Sequence, residues 1–135
     1  MPEIPSSGFP YATHLDVKFG ALEPFALDPL VAAVADRWFN QTLVRVNDSV
    51  VRLGVVKGEY HWHEHPAEDE FFLVLEGRFL IDLDPHADGI TPGRVVTLGP
   101  REGFVVPKGV RHRTRAPERS VILMVETAGI IPTGS

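Results

Sequence analysis

The stretch that decides the fold covers residues 58–77 and reads Gly-Glu-Tyr-His-Trp-His-Glu-His-Pro-Ala-Glu-Asp-Glu-Phe-Phe-Leu-Val-Leu-Glu-Gly. Its three histidines, His61, His63 and His65, alternate along the chain. Residues two apart share a face of a β-strand, so these imidazoles would point the same way. Glu70 begins the next strand after a short turn, and antiparallel pairing would bring its carboxylate beside them. Imidazole with carboxylate suits iron, manganese, nickel, cobalt, copper or zinc, so the stretch predicts a site for one divalent transition metal ion.

A second segment supplies one more ligand candidate. Residues 107–112 read Pro-Lys-Gly-Val-Arg-His, a Pro/Gly turn that leads His112 into a new strand. The alternative is that the histidines of the first stretch are surface residues on an edge strand. A lone histidine would favour that alternative, but three alternating histidines followed by an acidic turn favour the metal site. The predicted ligands are His63, His65, Glu70 and His112.

Composition fits one soluble globular domain. The chain has 135 residues, 44% hydrophobic and 23% charged, with a formal net charge of −5. This charge argues against nucleic acid as a partner, because proteins that bind nucleic acid present basic faces to phosphates. The absence of cysteine excludes disulfides, thiolate nucleophiles and cysteine-ligated metals. No apolar stretch is long enough to span a bilayer and no signal peptide is visible, so we expect no membrane partner and a cytoplasmic location.

We expect a single domain over residues 1–135, with an N-terminal arm and short helix in residues 1–41. Residues 1–13 predict an irregular arm that is either disordered or paired with a partner subunit. Asp28 and Pro29 predict a helix start, with Asp28 as the cap and Pro29 at the first helical position. Apolar spacing predicts the helix itself at residues 29–37, packed over a barrel mouth or against a sheet. Its apolar face would consist of Leu30, Val31, Val34 and Trp38.

From residue 42 onward, short β-branched and aromatic runs alternate with turn residues. Many short strands without a second helical pattern predict an all-β barrel or sandwich. The loop at residues 84–93 is either a lid or, as we favour, a surface excursion. The predicted strands are Thr42–Val46, Val50–Val56, Glu59–His63, Glu70–Leu75, Arg78–Leu83, Arg94–Leu98, Gly103–Val106, His112–Ala116 and Val121–Glu126.

Other residues are candidates for contact with a substrate. Arg52 interrupts an apolar run; facing inward, its planar guanidinium would suit an anionic group, and facing outward it would reach solvent. Phe72 shares the predicted face of Glu70 and would line the pocket. Met124 would line it from the last strand, whose register the sequence leaves open between Ile122 and Leu123.

Several neighbours of the histidines need a separate interpretation. His61 is a further ligand, a group that contacts substrate or moves a proton, or a residue of the barrel rim. Tyr60 and Trp62 point away from the histidines by strand parity, which favours packing against a sheet or a subunit. Three arginines alternate around His112 and would form a solvated face that discourages edge pairing; they are Arg111, Arg113 and Arg115.

The two histidine motifs resemble those of the small single-domain cupins, especially the group often called mannose-6-phosphate-isomerase-like. The first cupin motif has His-x-His, a Glu after four more residues and a Gly after six more, here residues 63–77. The second centres on Pro-x-Gly-x-x-His, here residues 107–112. The resemblance covers residues 42–129. It implies a double-stranded β-helix barrel of jelly-roll type, with a metal inside, and a homodimer.

Three functions follow from such a site. A four-ligand centre leaves coordination positions open, where a metal can bind substrate, activate dioxygen or acidify water. The first hypothesis is therefore a metal-dependent dioxygenase, isomerase or lyase acting on a small organic molecule, with Glu70 or His61 moving a proton in the last two cases. The second is a non-catalytic module that binds or senses a small ligand. The third is a structural metal with a closed shell.

Overall fold

The computed structural model describes residues 11–84, 93–130 and 132. These residues form one short helix and eight strands, so the all-β prediction is confirmed. Of the predicted N-terminal arm, residues 1–10 lie outside the described residues, and so does most of the predicted loop at 84–93. The elements are β1 (Ala12–His14), α1 (Asp28–Ala33), β2 (Trp38–Val46), β3 (Ser49–Glu59), β4 (Glu70–Glu76), β5 (Phe79–Leu83), β6 (Arg94–Leu98), β7 (Gly103–Val106) and β8 (His112–Thr127).

The strands belong to one sheet, in which β8 pairs with β3, β4 and β5. The hydrogen-bonded order is β1-β2-β3-β8-β4-β7, while β5 pairs with both β6 and β8. The first part of β8 pairs with β5 and its later part with β4, and β3 runs antiparallel along its other edge. The same strand therefore connects the start of the sheet to its later strands. It also carries His112 at its first residue.

Successive residues of the central strands supply two separate apolar clusters. Ile122 and Met124 belong to the larger cluster, whereas Val121 and Leu123 belong to the smaller one. Neighbouring side chains on a strand point to opposite faces, so the larger cluster fills the interior and the smaller one covers the outer face. The interior cluster provides the walls of the cavity described below.

The helix is shorter than the sequence predicted, and it packs against the outer face of the sheet. Leu30 and Val31 contact the outer cluster, so of the two predicted positions the packing against a sheet is confirmed. Trp38 instead opens β2 and is buried in the interior cluster. The prediction that Asp28 caps the helix is wrong: Leu27 holds the cap position without a side-chain hydrogen bond, and Asp28 lies in the first turn. In the described part of the chain, no helix has the length and apolar character needed to cross a membrane.

Two predicted strand boundaries are wrong, for identifiable reasons. The predicted strand 59–63 does not form, because Gly58 has a positive φ of 102° and the chain after Glu59 is irregular apart from one bridge at His63. The predicted strands 112–116 and 121–126 are one continuous strand. Pro117 does not interrupt it, because the register between β3 and β8 shifts at this point. Proline is tolerated at such a bulge, where its missing N–H is not needed.

Candidate metal centre

Four buried side chains converge inside the fold. His63 and His65 lie in the irregular segment after β3, Glu70 opens β4 and His112 opens β8. One possible ligand atom from each lies within 4.8 Å of all the others. The Nε2 atoms of His112 and His65 lie 3.3 Å and 3.6 Å from the same Glu70 oxygen, Oε1. The structure thus brings together all four residues that the sequence predicted as ligands.

Backbone contacts hold these residues in place. His63 and His112 exchange two backbone hydrogen bonds of 2.9 Å, which bring their rings to a centroid distance of 4.3 Å. The Pro/Gly turn is joined to the first motif, since the Gly109 N–H donates to the His65 carbonyl at 2.9 Å. Gly109 has a φ of +79°, a conformation that glycine adopts without strain. The two motifs therefore form one framework around the side chains.

The imidazole orientations fit metal binding. Nδ1 of His63 lies 3.0 Å from the His61 carbonyl, and Nδ1 of His112 lies 3.0 Å from the Val110 carbonyl. Because a carbonyl only accepts, each Nδ1 carries the proton and each Nε2 offers a lone pair, the usual arrangement for histidines that bind a metal. In the neutral ring the Nε2 lone pair of His112 faces the Glu70 carboxylate, an arrangement that a proton on Nε2 in the metal-free protein, or a metal ion in its place, relieves.

His65 gives a second, independent indication of a metal site. Its imidazole is 2% exposed, and neither ring nitrogen has a hydrogen-bond partner among the described residues. A buried polar group left unpaired costs about 1–3 kcal/mol. A metal ion among the four side chains would satisfy Nε2 of His65, so the residues present fit the group that the motifs imply.

The protonation states also match what a metal requires. Burial lowers the pKa of His63 to about 3, and repulsion from His112 adds to the effect. Burial alone would raise the pKa of Glu70, but hydrogen bonds donated to its carboxylate in the metal-free protein, from His112 above all, outweigh burial and lower that pKa. Neutral imidazole and ionised carboxylate are the forms that bind metal ions.

A cavity adjoins the site, and two of the four side chains, His63 and Glu70, line it. Phe72 and Met124 line it, as the sequence predicted for both, and so does Ile122, which settles the open register of β8 in favour of Ile122 over Leu123. Its free volume is about 20 Å³, and one water needs roughly 10–15 Å³ on this measure. Within the described part of the chain, the lining residues are Trp38, Asn40, Arg52, Tyr60, His63, Glu70, Phe72, Phe79, Thr114, Ile122, Met124, Glu126 and Pro132.

Arg52 faces the interior, which decides between its two predicted orientations. It is 3% exposed, its Nε lies 2.6 Å from Glu126 Oε1, and its Nη1 donates to Thr42 Oγ1 at 2.9 Å. Burial raises the pKa of Glu126 well above its ordinary value, repulsion from Glu70 raises it further, and Arg52 opposes both. Sequence reasoning missed Glu126, although its even-numbered position on β8, like that of Met124, was a usable signal.

His61 stands outside the group of possible ligands. Its ring centroid lies 5.3 Å from that of His63, and its Nδ1 lies 3.3 Å from the Tyr11 hydroxyl. Tyr60, expected to point away, lines the cavity instead, because residues 60–62 are not in a strand and strand parity does not apply to them. Burial raises the pKa of Tyr60, with repulsion from Tyr11 and Glu70 adding to it, so the phenol keeps its proton.

The arginines beside His112 have a role different from the predicted one. They point outward, but β8 is flanked by β3 and β5, so they protect no sheet edge. Asp82 on β5 accepts hydrogen bonds from Arg113 and Arg115, which lowers its pKa, Arg115 having the larger effect. Arg111 pairs with Asp84 at 3.1 Å. These pairs join β5 to β8 next to His112.

The fold and the site together define a small all-β protein with a candidate metal centre of three histidines and one glutamate in its interior. The chain matches the Cupin domain family over residues 50–126, and it belongs to that family. It is 42% identical over 93 residues to the uncharacterized protein YdbB of Bacillus subtilis, covering 69% of this chain and 76% of that protein. The predicted mannose-6-phosphate-isomerase-like subgroup stays a prediction.

Solved structures agree on the fold. A cupin-2 domain containing protein of Shewanella frigidimarina superposes with a TM-score of 0.67 and 30% identity, covering 76% of this chain and 93% of that one. Hydroquinone 1,2-dioxygenase PnpCD, whose structure was solved with Fe³⁺, superposes with a TM-score of 0.69 at 18% identity, covering 80% of this chain and 33% of that one. This last likeness concerns the fold alone. The predicted double-stranded β-helix fold is confirmed.

Proposed function

We propose that the protein is a metal-dependent enzyme that acts on a small organic molecule by dioxygenase, isomerase or lyase chemistry. One observation supports this most: four buried donor atoms lie within 4.8 Å of one another beside a cavity with apolar walls. The metal would be one divalent transition ion, since nitrogen and oxygen ligands of this kind accept iron, manganese, nickel, cobalt, copper and zinc. Its ligands would be His63, His65, Glu70 and His112.

A bound ion supplies Lewis acidity and open positions for substrate or dioxygen. The chain's own groups would do the rest. The carbonyls of His61 and Val110 keep the ligand imidazoles in one tautomer. Apolar walls limit the access of water, which strengthens electrostatic interactions at the centre. In isomerase or lyase chemistry, the Glu70 carboxylate would accept a proton, and half-buried His61, 5.3 Å from His63, would pass it towards solvent.

A second candidate is a non-catalytic module in which the same centre binds or senses a small ligand. The size of the cavity bears on both candidates: the free volume is about 20 Å³, whereas ligand pockets usually measure about 300–1,000 Å³. Either binding or turnover of an organic molecule requires part of the wall to move. A binding module would keep the bound ligand unchanged.

We also propose that the protein acts as a homodimer in the cytoplasm, with no nucleic-acid or membrane partner. The outer face supports the dimer, because Val51, Leu75 and Leu123 pack against its apolar cluster and are only partly buried. An apolar face of this kind is stabilised by a second protein surface. Light scattering at several protein concentrations measures the mass directly, and a monomer at all of them would contradict the dimer.

The test of function begins with the metal. Protein purified without an affinity tag is analysed for bound metals, reloaded with each candidate ion, and incubated with a panel of small organic molecules while oxygen uptake and product formation are followed. Turnover that requires the metal supports the enzyme. Tight binding of one panel member without any product supports the module, and a chain that binds no metal contradicts both.

A further inference from the structure

We propose that the Tyr60 hydroxyl donates a hydrogen bond to the oxygen atom of a ligand bound at the metal centre. The ligand would be a small and largely apolar molecule with an oxygen donor, such as a phenol, a catechol or an enol. This inference rests on the proposed metal centre and names the class of molecule that the centre takes. Tyr60 lines the same cavity as two of the four proposed ligands, His63 and Glu70.

The Tyr60 hydroxyl is buried without a partner. The residue is 5% exposed, and its oxygen makes no hydrogen bond within residues 11–84, 93–130 and 132. Burying an unpaired hydroxyl costs about 1–3 kcal/mol, a cost that phenylalanine would avoid. Buried polar groups in folded proteins nearly always have a partner. An oxygen of a ligand entering the cavity would supply the missing acceptor.

The ring that carries this hydroxyl is held firmly. Tyr60 stacks on Tyr11 at a centroid distance of 4.1 Å, packs at 5.3 Å against Trp38, and meets the His63 ring edge-on at 5.2 Å. A donor fixed in advance loses little entropy when it binds, which is how binding sites stabilise charge on a bound oxygen. The edge contact with His63 keeps the phenol beside the proposed metal position.

The other residues that line the cavity indicate the chemical character of the rest of the ligand. Arg52, the one cationic side chain that lines the cavity in the described part of the chain, already contacts Glu126 at 2.6 Å and Thr42 at 2.9 Å. These contacts hold the guanidinium against the wall, so a phosphate or a second carboxylate would have to displace Glu126 or Thr42 to pair with it. Aromatic and aliphatic side chains make up most of the other walls, which favour a carbon frame. The ligand oxygen would replace the single water for which there is room, and its frame would displace part of the wall.

The test compares two substitutions that each remove one hydroxyl from the same stack of rings. Tyr60→Phe removes the unpaired hydroxyl, and Tyr11→Phe removes a hydroxyl that lies beside His61 and outside the cavity lining. Cobalt(II) affinity is measured first, then the melting temperature of the metal-free proteins, then binding of 4-nitrocatechol and of mannose 6-phosphate to the cobalt-loaded proteins by absorbance and calorimetry.

We expect Tyr60→Phe to bind cobalt like the wild type, to melt at the same or a higher temperature when metal-free, and to bind 4-nitrocatechol about tenfold more weakly. Tyr11→Phe should bind 4-nitrocatechol like the wild type. Mannose 6-phosphate should bind the wild type more weakly than 4-nitrocatechol does.

Three results would overturn the inference while leaving the metal centre intact. These are unchanged 4-nitrocatechol affinity in Tyr60→Phe, a lower melting temperature of that variant without metal, and tighter binding of the sugar phosphate than of 4-nitrocatechol. Wild-type protein that binds no cobalt would overturn the proposed metal centre and this inference together. The first measurement therefore separates the two failures.

Discussion

Nε2 of His112 lies 3.3 Å from Oε1 of Glu70, although the carbonyl contact at Nδ1 leaves Nε2 without a proton in the neutral ring. Two electron pairs facing each other at this distance are unfavourable unless a proton or a metal ion lies between them. The two residues are 42 positions apart in sequence, and β8 and β4 bring them together. The relationship gives this position of the interior a place for one positive charge, a proton in the metal-free protein or the proposed metal ion.

Substitution of one histidine at a time should separate ligands from neighbours. We expect His65→Ala to lower metal affinity by at least about a hundredfold, because even changes to groups that only support a ligand cost about 10–100-fold. His61→Ala is the matched control and should keep affinity close to that of the wild type, since His61 lies outside the group of four. Titration with a competing chelator measures both. Equal losses in the two variants would contradict the assigned ligand set.

The buried pair of Arg52 and Glu126 should be energetically coupled. Arg52→Met removes one partner of a pair whose side chains are 4% and 1% exposed, and breaking a buried pair costs about 3–5 kcal/mol. The double variant Arg52→Met/Glu126→Leu should lose less stability than the sum of the two single variants. Urea unfolding measures all three, and simple additivity would show that the contact contributes no coupling.

The decrease in the free energy of unfolding at acid pH should depend on Asp82. Hydrogen bonds from Arg115 and Arg113 lower its pKa below its ordinary value of 3.8. The folded state therefore binds this proton less readily than the unfolded state, so the contribution is present above pH 3.8 and is lost as pH falls through the lower folded value. We expect Asp82→Asn to cost about 1 kcal/mol near neutral pH, because the arginines are partly exposed. A difference from the wild type that persists undiminished at lower pH would contradict this.

Two glycines with similar backbone angles should respond differently to alanine. Gly77 and Gly109 have φ values of 86° and 79°. A Cβ on Gly77 would lie 2.8 Å from the Ser120 Cα, whereas a Cβ on Gly109 would meet nothing within 4 Å. We expect Gly109→Ala to cost about 1 kcal/mol from strain, and Gly77→Ala to cost about 3 kcal/mol because a clash is added. Thermal unfolding measures both, and equal costs would show that backbone strain alone matters.

Local patterns in the sequence predicted the strands and the four proposed ligands, but not the surroundings of the site. The alternation of His63 and His65 indicated a common target even though their segment is not a strand. The same parity argument failed for Tyr60, because β3 ends at Glu59, just after a register shift at Gly58, and Tyr60 is not in a strand. Glu126 was missed because its position against Arg52 depends on the register between β3 and β8, which is set by contacts far apart in sequence.

The start of the helix also could not be predicted from local sequence alone. Asp28 and Pro29 are the expected residues for a helix start, and Pro29 does lie in the first turn. Packing of Leu27 and Leu30 against the outer face fixes where the helix begins, and it displaces Asp28 from the cap. Tertiary contacts therefore set the start of the helix at Asp28, one residue before the start that local sequence preference predicts.

The most direct test of the metal centre is a crystal structure of the metal-loaded protein, with diffraction recorded on both sides of the absorption edge of the ion. We predict one anomalous peak in the interior, bound by three imidazole nitrogens and the carboxylate of Glu70, with the histidines His63, His65 and His112. An interior without a peak, or an ion held by other residues, would contradict the account.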